Sequence, residues 1–381
     1  MRPAWLEIDL GAIAHNMSEI RRIIGPDTGI VAVVKSNAYG HGAVPAARQV
    51  LDCGACMLAV ALLQEAVELR QAGIDAPILV LGATDPSEAP GFVEHGVCAA
   101  VADVGFAREL SAAAGRAGTR GLCHVKIDSG MGRQGVRADE VAVFGKAVRD
   151  LPGIDIQGAY SHFASSPTDR EFTERQITTF STAVAELQAV VGKQIPLRHL
   201  ANSGAVVRHE NARMDAVRPG ALIYGIADRD AGECLPTTKQ AMTLQSRIVT
   251  TKPIRRGESV GYGRTFIARQ DLVAAVLPIG YADGYPRALS GNADVLVRGT
   301  RCPVIGRVSM DCTMVDITRA GEVMPGQQVV LLGRQGDEMI TTGELARRCN
   351  TCVEEIVSRV AARLPRVYIG ADQDCTGTSP L

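Results

Sequence analysis

The sequence predicts an α/β protein in which a parallel (β/α)8 barrel is followed by a mostly β domain. Over the first 235 or so residues, short apolar runs alternate with segments whose apolar residues recur at helical spacing. Beyond that point helical periodicity fades, and short strand-like runs separated by turn residues follow. We therefore expect a barrel domain over residues 1–235 and a β-rich C-terminal domain over residues 236–381, with the first nine or so residues joining the second domain.

Eight apolar runs are the expected barrel strands, at residues 30–34, 57–61, 78–81, 97–101, 122–127, 156–160, 197–200 and 217–224. Alternation of strand and helix is typical of a parallel sheet, and eight such units favour a closed barrel. A doubly wound open sheet is the alternative, but no dinucleotide-binding fingerprint supports it. In the second domain we expect, among other strands, residues 243–250, and a short helix over residues 343–348 with Thr342 as its N-cap.

Composition excludes several classes of protein. The 40 basic and 41 acidic residues nearly balance, so we expect no nucleic-acid partner and no acidic membrane surface. No apolar run approaches the roughly 18 residues of a transmembrane helix, and the acidic start is unlike a signal peptide. The pairs Cys53/Cys56 and Cys349/Cys352 lie far apart without a neighbouring histidine, so we expect no metal site. The expected location is the cytoplasm.

The stretch around Lys35 is the most informative. An apolar strand ends at this lysine, and a loop punctuated by Gly40 and Gly42 follows. The C-terminal ends of barrel strands face the mouth where barrel active sites lie. Loss of hydration there lowers the pKa of a lysine and yields a nucleophilic amine that can form a Schiff base. The alternative is a surface lysine in a loop.

Two further loops predict a phosphate site. The expected seventh strand leads into Ala201-Asn202-Ser203-Gly204, and the eighth into Arg218-Pro219-Gly220-Ala221. Barrels often bind phosphate with the loops after strands seven and eight, and these loops offer small residues, backbone N–H groups and a hydroxyl.

The strand Cys123-His124-Val125-Lys126-Ile127-Asp128 carries its polar residues on one face, although both faces of a barrel strand are largely buried. A buried Lys126 needs an anionic partner. An ordinary acid such as Asp128 is one candidate.

The segment Lys35-Ser36-Asn37-Ala38-Tyr39-Gly40-His41-Gly42 closely resembles the cofactor-binding signature of the alanine racemases. Further motifs match in order across nearly the whole chain. The resemblance implies pyridoxal phosphate (PLP) as cofactor and Lys35 as the lysine that binds it covalently. It assigns the phosphate to Tyr39, Ser203, Gly220 and Ala221, the pyridine nitrogen to Arg218, and a hydrogen bond with this arginine to His162.

The resemblance also bears on reaction type and on Lys126. An arginine at the pyridine nitrogen leaves that nitrogen unprotonated, which suits racemisation and disfavours transamination. In the family, the lysine that matches Lys126 is carbamylated and orients an arginine, here Arg133. This arginine would face the cofactor's phenolic oxygen and the substrate carboxylate.

In the second domain, Tyr262 lies between two glycines, where a surface turn is the plain interpretation. The resemblance instead makes Tyr262 the second acid/base, facing Lys35 across the substrate. It further implies that the backbone of Met310 binds the substrate carboxylate and that Tyr281 and Arg307 line the pocket. The implied assembly is a head-to-tail homodimer in which Tyr262 and Met310 reach the partner's barrel.

The sequence departs from the family at Val353-Glu354-Glu355, where Asn-Tyr-Glu is common, and at Ala361-Ala362, where a cofactor-contacting tyrosine has no counterpart. The expected activity is interconversion of L- and D-alanine by a two-base mechanism, which supplies D-alanine for peptidoglycan. A serine or broad-specificity racemase is the alternative. A PLP-dependent decarboxylase is disfavoured by Arg218, and a non-catalytic PLP carrier by the domain that holds Tyr262.

Overall fold

The computed structural model describes residues 3–226 and 237–370. Strands of the first part, in chain order, are β1 (Ala4–Asp9), β2 (Gly29–Val33), β3 (Met57–Val60), β4 (Ile78–Val80), β5 (Cys98–Val101), β6 (Gly121–Asp128), β7 (Val136–Arg137), β8 (Ile154–Tyr160), β9 (Leu197–His199) and β10 (Ala216–Val217). Parallel pairing runs β2–β3–β4–β5–β6–β8–β9–β10 and returns from β10 to β2, so the predicted closed barrel is confirmed. The domain boundary expected after residue 235 lies outside the described residues.

Helices surround the barrel: α1 (Leu10–Ile24), α2 (Lys35–Tyr39), α3 (Ala43–Asp52), α4 (Leu63–Gln71), α5 (Ala89–Glu94), α6 (Val104–Ala117), α7 (Val141–Arg149), α8 (Arg170–Val191) and α9 (Ser203–Arg208). Alternate residues of each barrel strand face opposite sides. In β2, Ile30 and Ala32 belong to the main core, whereas Val31 and Val33 belong to a separate cluster with interior residues of other barrel strands. Both faces of the strand are thus buried.

The second part is mainly antiparallel sheet: β11 (Met242–Arg247), β12 (Thr250–Ile254), β13 (Ser259–Val260), β14 (Phe266–Ile267), β15 (Leu272–Leu277), β16 (Asp294–Val297), β17 (Thr300–Pro303), β18 (Thr313–Asp316), β19 (Gln328–Gln335), β20 (Glu338–Ile340) and β21 (Arg366–Ile369). Two helices, α10 (Thr342–Cys349) and α11 (Val353–Ser358), complete it. The N-terminal strand β1 pairs with β11 and β21 of this part.

Several expected elements differ in extent from the observed ones, three of them at β10, β11 and α10. Strand β10 ends at Val217 because Pro219 has no N–H to donate, and the residues after it form turns, with Ile223 N donating to Gly220 O at 2.9 Å. The expected strand over residues 243–250 divides into β11 and β12. The helix predicted over residues 343–348 begins one residue earlier, since Thr341 rather than Thr342 is its N-cap.

Within the two described ranges, no helix has both the length and the apolar character that crossing a membrane requires.

Candidate active site

A cavity of about 610 Å³ lies at the C-terminal ends of the barrel strands, where β2 leads into Lys35. It brings together every cofactor-binding residue expected from the sequence, and Lys126 lines it as well. The predicted residues in its lining are Lys35, Tyr39, Lys126, Arg133, His162, Ser203, Arg218, Gly220 and Ala221.

The backbone that carries Lys35 and Tyr39 turns in the left-handed sense. Residues 36 to 39 have φ between 53° and 54°, although none of them is glycine. Each such residue costs about 1–2 kcal/mol. Two hydrogen bonds hold the turn: Ser36 N donates to Glu65 Oε1 at 2.5 Å, and Ala43 N donates to Asn37 Oδ1 at 2.7 Å. The turn directs Lys35 and Tyr39 to the same cavity.

Burial and the charges of three neighbouring side chains act on the pKa of Lys35. Burial lowers its pKa, and the guanidinium of Arg133 lowers it further. The carboxylates of Glu65 and Glu354 act against both. On balance the pKa of Lys35 is lowered, so its neutral, nucleophilic amine forms more readily than that of a lysine in water.

The two loops predicted to bind phosphate meet. The hydroxyl oxygen of Ser203 accepts from Gly220 N at 3.0 Å and from Leu222 N at 3.2 Å. A Cβ at Gly220 would lie 2.4 Å from Tyr39 Oη, so only glycine leaves room there. Burial raises the pKa of Tyr39, which keeps its hydroxyl protonated and able to donate. Hydroxyls and small residues therefore lie together where the sequence predicts a phosphate site; we call Tyr39, Ser203, Gly220 and Ala221 the phosphate cradle.

Arg218 is 3% exposed and donates to backbone and imidazole acceptors. Its NH2 group donates to Ser161 O at 2.5 Å and lies 3.4 Å from Nδ1 of His162, the neighbour that the resemblance implied. Its NH1 group donates to His199 O at 2.6 Å. Burial lowers the pKa of Arg218 to about 10, so the guanidinium stays charged at neutral pH.

Lys126 lines the cavity, with its Nζ 4.5 Å from the centre of the Tyr160 ring. Burial, then the charges of Arg218 and Arg133, lower its pKa to about 7. Pairing with Asp128 is not observed, because that carboxylate accepts the N–H groups of its own loop, from Gly130 at 2.9 Å. No carboxylate of the described chain forms an ion pair with Lys126.

Four residues predicted to act from the second domain lie elsewhere. Tyr262, Met310 and Tyr281 are 72%, 54% and 42% exposed, and none belongs to the described cavity lining. A Cβ at Gly263 would lie 3.3 Å from the guanidinium of Arg307, so Tyr262 and Arg307 are close neighbours. One chain therefore does not bring Tyr262 to Lys35.

Sequence reasoning missed three groups of this site. His199 and His124 form a buried chain with Arg218, and Glu354 on α11 lines the cavity. His124 alternates with Lys126 on one face of β6, which was a usable signal. Glu354 and Ser358 are four residues apart and share one helical face, but only the fold brings that face to the cavity.

Comparison with known proteins covers nearly the whole chain. Residues 8–228 match the family model "Alanine racemase, N-terminal domain", and residues 241–368 match "Alanine racemase, C-terminal domain". An alanine racemase of Desulforamulus reducens is 43% identical over 97% of this chain and 99% of its own length. Alanine racemase 2 of Caldanaerobacter subterraneus is 40% identical over 97% of this chain and 95% of its own length.

Solved structures agree with this result. The alanine racemase of Bacillus anthracis with bound L-Ala-P has a TM-score of 0.91 at 36% identity, over 97% of this chain and 95% of its own. The alanine racemase of Bartonella henselae with covalently bound pyridoxal phosphate has a TM-score of 0.86 at 26% identity, over 97% of this chain and 100% of its own.

Proposed function

Because the chain belongs to the alanine racemase family, we propose that it interconverts L- and D-alanine with pyridoxal phosphate as cofactor. The observation that carries the proposal is the position of Lys35 in one cavity with the phosphate cradle and Arg218. The relatives compared above are named alanine racemases, so serine or broad-specificity racemisation is not favoured.

The cavity fits this cofactor at both ends. Lys35 would bind it covalently, the phosphate cradle would hold its phosphate, and Arg218 would donate to its ring nitrogen. When bound, the cofactor supplies an electron sink that stabilises negative charge at the substrate Cα. Because Arg218 donates and does not accept, it keeps the ring nitrogen unprotonated and weakens that sink. A weak sink favours immediate return of the proton to Cα over transamination.

Two groups would move the Cα proton. Lys35 removes or returns it on one face of the substrate, and the partner's Tyr262 does so on the other. The exposed position of Tyr262 and Met310, outside their own chain's cavity, supports a homodimer in which each subunit completes the other's site. Arg133 and the backbone of Met310 would hold the substrate carboxylate, with Tyr281 and Arg307 lining the pocket.

Lys126 is suited to carbamylation. With a pKa of about 7, a large fraction of its side chain is the neutral amine at neutral pH. That amine would attack CO2, form an N–C bond and release one proton to solvent, leaving a carbamate anion. The anion would neutralise the surrounding positive charge and hold the guanidinium of Arg133. We further propose that the enzyme acts in the cytoplasm and supplies D-alanine for peptidoglycan.

Racemisation of a panel of L-amino acids, followed by chiral chromatography, tests the proposal. Alanine should have the highest kcat/KM, and Lys35→Ala should abolish turnover and covalent attachment of the cofactor after borohydride reduction. Lys146→Ala, at an exposed position on α7, is the matched control and should change neither. A reduced cofactor on another lysine would contradict the proposal, and a higher kcat/KM for serine would replace alanine as the substrate.

A further inference from the structure

Helix α11 brings one carboxylate to the cofactor cavity. Glu354, in its first turn, lines the cavity together with Tyr39 and Gly220 of the phosphate cradle. Its side chain forms no hydrogen bond or ion pair with another residue of the described chain. The neighbouring Glu355 differs, because it pairs with Arg359 at 2.8 Å and is not part of the lining.

The position of Glu354 is fixed by tight packing of α11 against the end of the left-handed turn that carries Lys35 and Tyr39. A Cβ at Gly40 would lie 2.2 Å from Val357 O, so the two backbones are in direct contact. Arg366 joins them from the other side, with Nε donating to Gly40 O at 2.9 Å and NH2 to Val360 O at 3.4 Å. The backbone of Glu354 therefore has a defined place beside the turn that carries Tyr39, from which its side chain lines the cavity.

The phosphate cradle itself has no positive side chain. Tyr39, Ser203, Gly220 and Ala221 are neutral, and after burial the main influence on the Tyr39 hydroxyl is the Glu354 carboxylate, which adds to the increase of its pKa. Of the nearby cations, Arg218 and Lys126 lie against the Tyr160 ring, 5.1 Å and 4.5 Å from its centre. A phosphate in the cradle thus has hydroxyl and N–H donors but also a neighbouring carboxylate that forms no ion pair within the described chain.

We infer that Glu354 opposes the phosphate of the cofactor by charge repulsion and so makes this protein's cofactor readily exchangeable, an inference that rests on the proposed function. Two like charges in a partly buried site repel far more strongly than in water. Glu354 is therefore a cofactor-contacting residue that weakens binding. Its removal should tighten the binding of phosphate-bearing ligands alone.

Calorimetry with two probes isolates this effect. The holoenzyme is stripped of cofactor and titrated with pyridoxine 5′-phosphate, which cannot react with Lys35, and with pyridoxine, which lacks the phosphate. At low ionic strength Glu354→Gln should bind pyridoxine 5′-phosphate about tenfold more tightly than the wild type, and added salt should reduce the gain. Pyridoxine should bind both proteins equally, and Glu355→Gln, the matched control, should behave as the wild type.

A second measurement uses the intact holoenzyme. Loss of cofactor on dilution, followed by its absorbance, should be slower for Glu354→Gln than for the wild type. Equal or weaker binding of pyridoxine 5′-phosphate by the variant would overturn the inference, as would the same gain for pyridoxine. A wild-type protein that binds neither probe would instead overturn the proposed function, and the inference with it.

Discussion

Arg218 NH1 lies 3.0 Å from Nδ1 of His199 and donates to the carbonyl oxygen of the same residue at 2.6 Å. Since a guanidinium only donates, Nδ1 of His199 is an acceptor and its proton is on Nε2. That N–H donates to Nδ1 of His124 at 2.8 Å, which leaves the His124 proton on Nε2, a buried atom with no hydrogen-bond partner in the described chain. Two neutral imidazoles, kept neutral mainly by burial, thus hold Arg218 from inside the barrel.

Replacing His199 should therefore destabilise the protein. His199→Leu removes an acceptor from the buried Arg218 and leaves Nδ1 of His124 unpaired, which should lower the free energy of unfolding by about 2–4 kcal/mol. Urea denaturation measures the change. His95→Leu, outside the barrel interior, is the control and should cost less than about 1 kcal/mol. Equal losses of unfolding free energy in the two variants would show that the hydrogen bonds among Arg218, His199 and His124 do not stabilise the fold.

The pKa of Lys126 predicts a pH dependence of stability. Its pKa is about 7 in the folded protein, against roughly 10.4 for an unperturbed lysine, so the unfolded state binds more protons between these values. Burial of the charged ammonium lowers the free energy of unfolding. This loss is fully present below about pH 7 and disappears as pH rises towards 10. Lys126→Met should raise the free energy of unfolding of the CO2-free, cofactor-free protein by roughly 3 kcal/mol at pH 6.5.

The matching measurement is urea denaturation of both proteins across this range. The free energy of unfolding of Lys126→Met should exceed that of the wild type by less and less as pH rises from about 7 to 9. Admitting CO2 should stabilise only the wild type, because methionine cannot form a carbamate. A constant difference at every pH would mean that the charge of Lys126 is compensated by another group.

The sequence indicated the place of Lys35 because an apolar strand and a glycine-punctuated loop are local features. The left-handed path of residues 36 to 39 was not predictable, since contacts with Glu65 and α11, both distant in sequence, maintain it. Glu354 illustrates the same limit: its departure from the family was visible, but its place in the cavity depends on how α11 packs on Gly40.

The phosphate cradle gives a steric prediction. Gly220→Ala would place a methyl group 2.4 Å from Tyr39 Oη, so the hydroxyl must move away from the phosphate position. Affinity for pyridoxine 5′-phosphate should fall at least about tenfold, the cost of roughly one charge-assisted hydrogen bond. Gly115→Ala, on α6 with open space at its Cβ, should leave the affinity unchanged. Unchanged affinity in Gly220→Ala would place the phosphate elsewhere.

If Lys35 and Tyr262 carry the proton on opposite faces of the substrate, loss of one of them should slow proton exchange unequally for L- and D-alanine. Tyr262→Phe removes the hydroxyl that should serve one face, while Lys35 still serves the other. Solvent deuterium incorporation, followed separately for L- and D-alanine, should fall about 10²–10⁴-fold more for one enantiomer than for the other. Tyr281→Phe, a second exposed tyrosine of the same domain, should show no such asymmetry. Equal loss for both enantiomers in Tyr262→Phe would point to a binding role instead.

A mixed dimer tests whether the site is shared between subunits. If the partner's Tyr262 completes each cavity, a dimer of one Lys35→Ala subunit and one Tyr262→Phe subunit has both lesions in one site and none in the other. Random mixing makes half of the dimers heterodimers with one intact site each, so the mixture should recover roughly a quarter of wild-type activity. Neither variant alone should racemise alanine, because racemisation needs both proton carriers and every site of each variant lacks one. If heterodimers form, as native mass spectrometry can verify, and no activity returns, then Tyr262 and Lys35 do not act in one composite site.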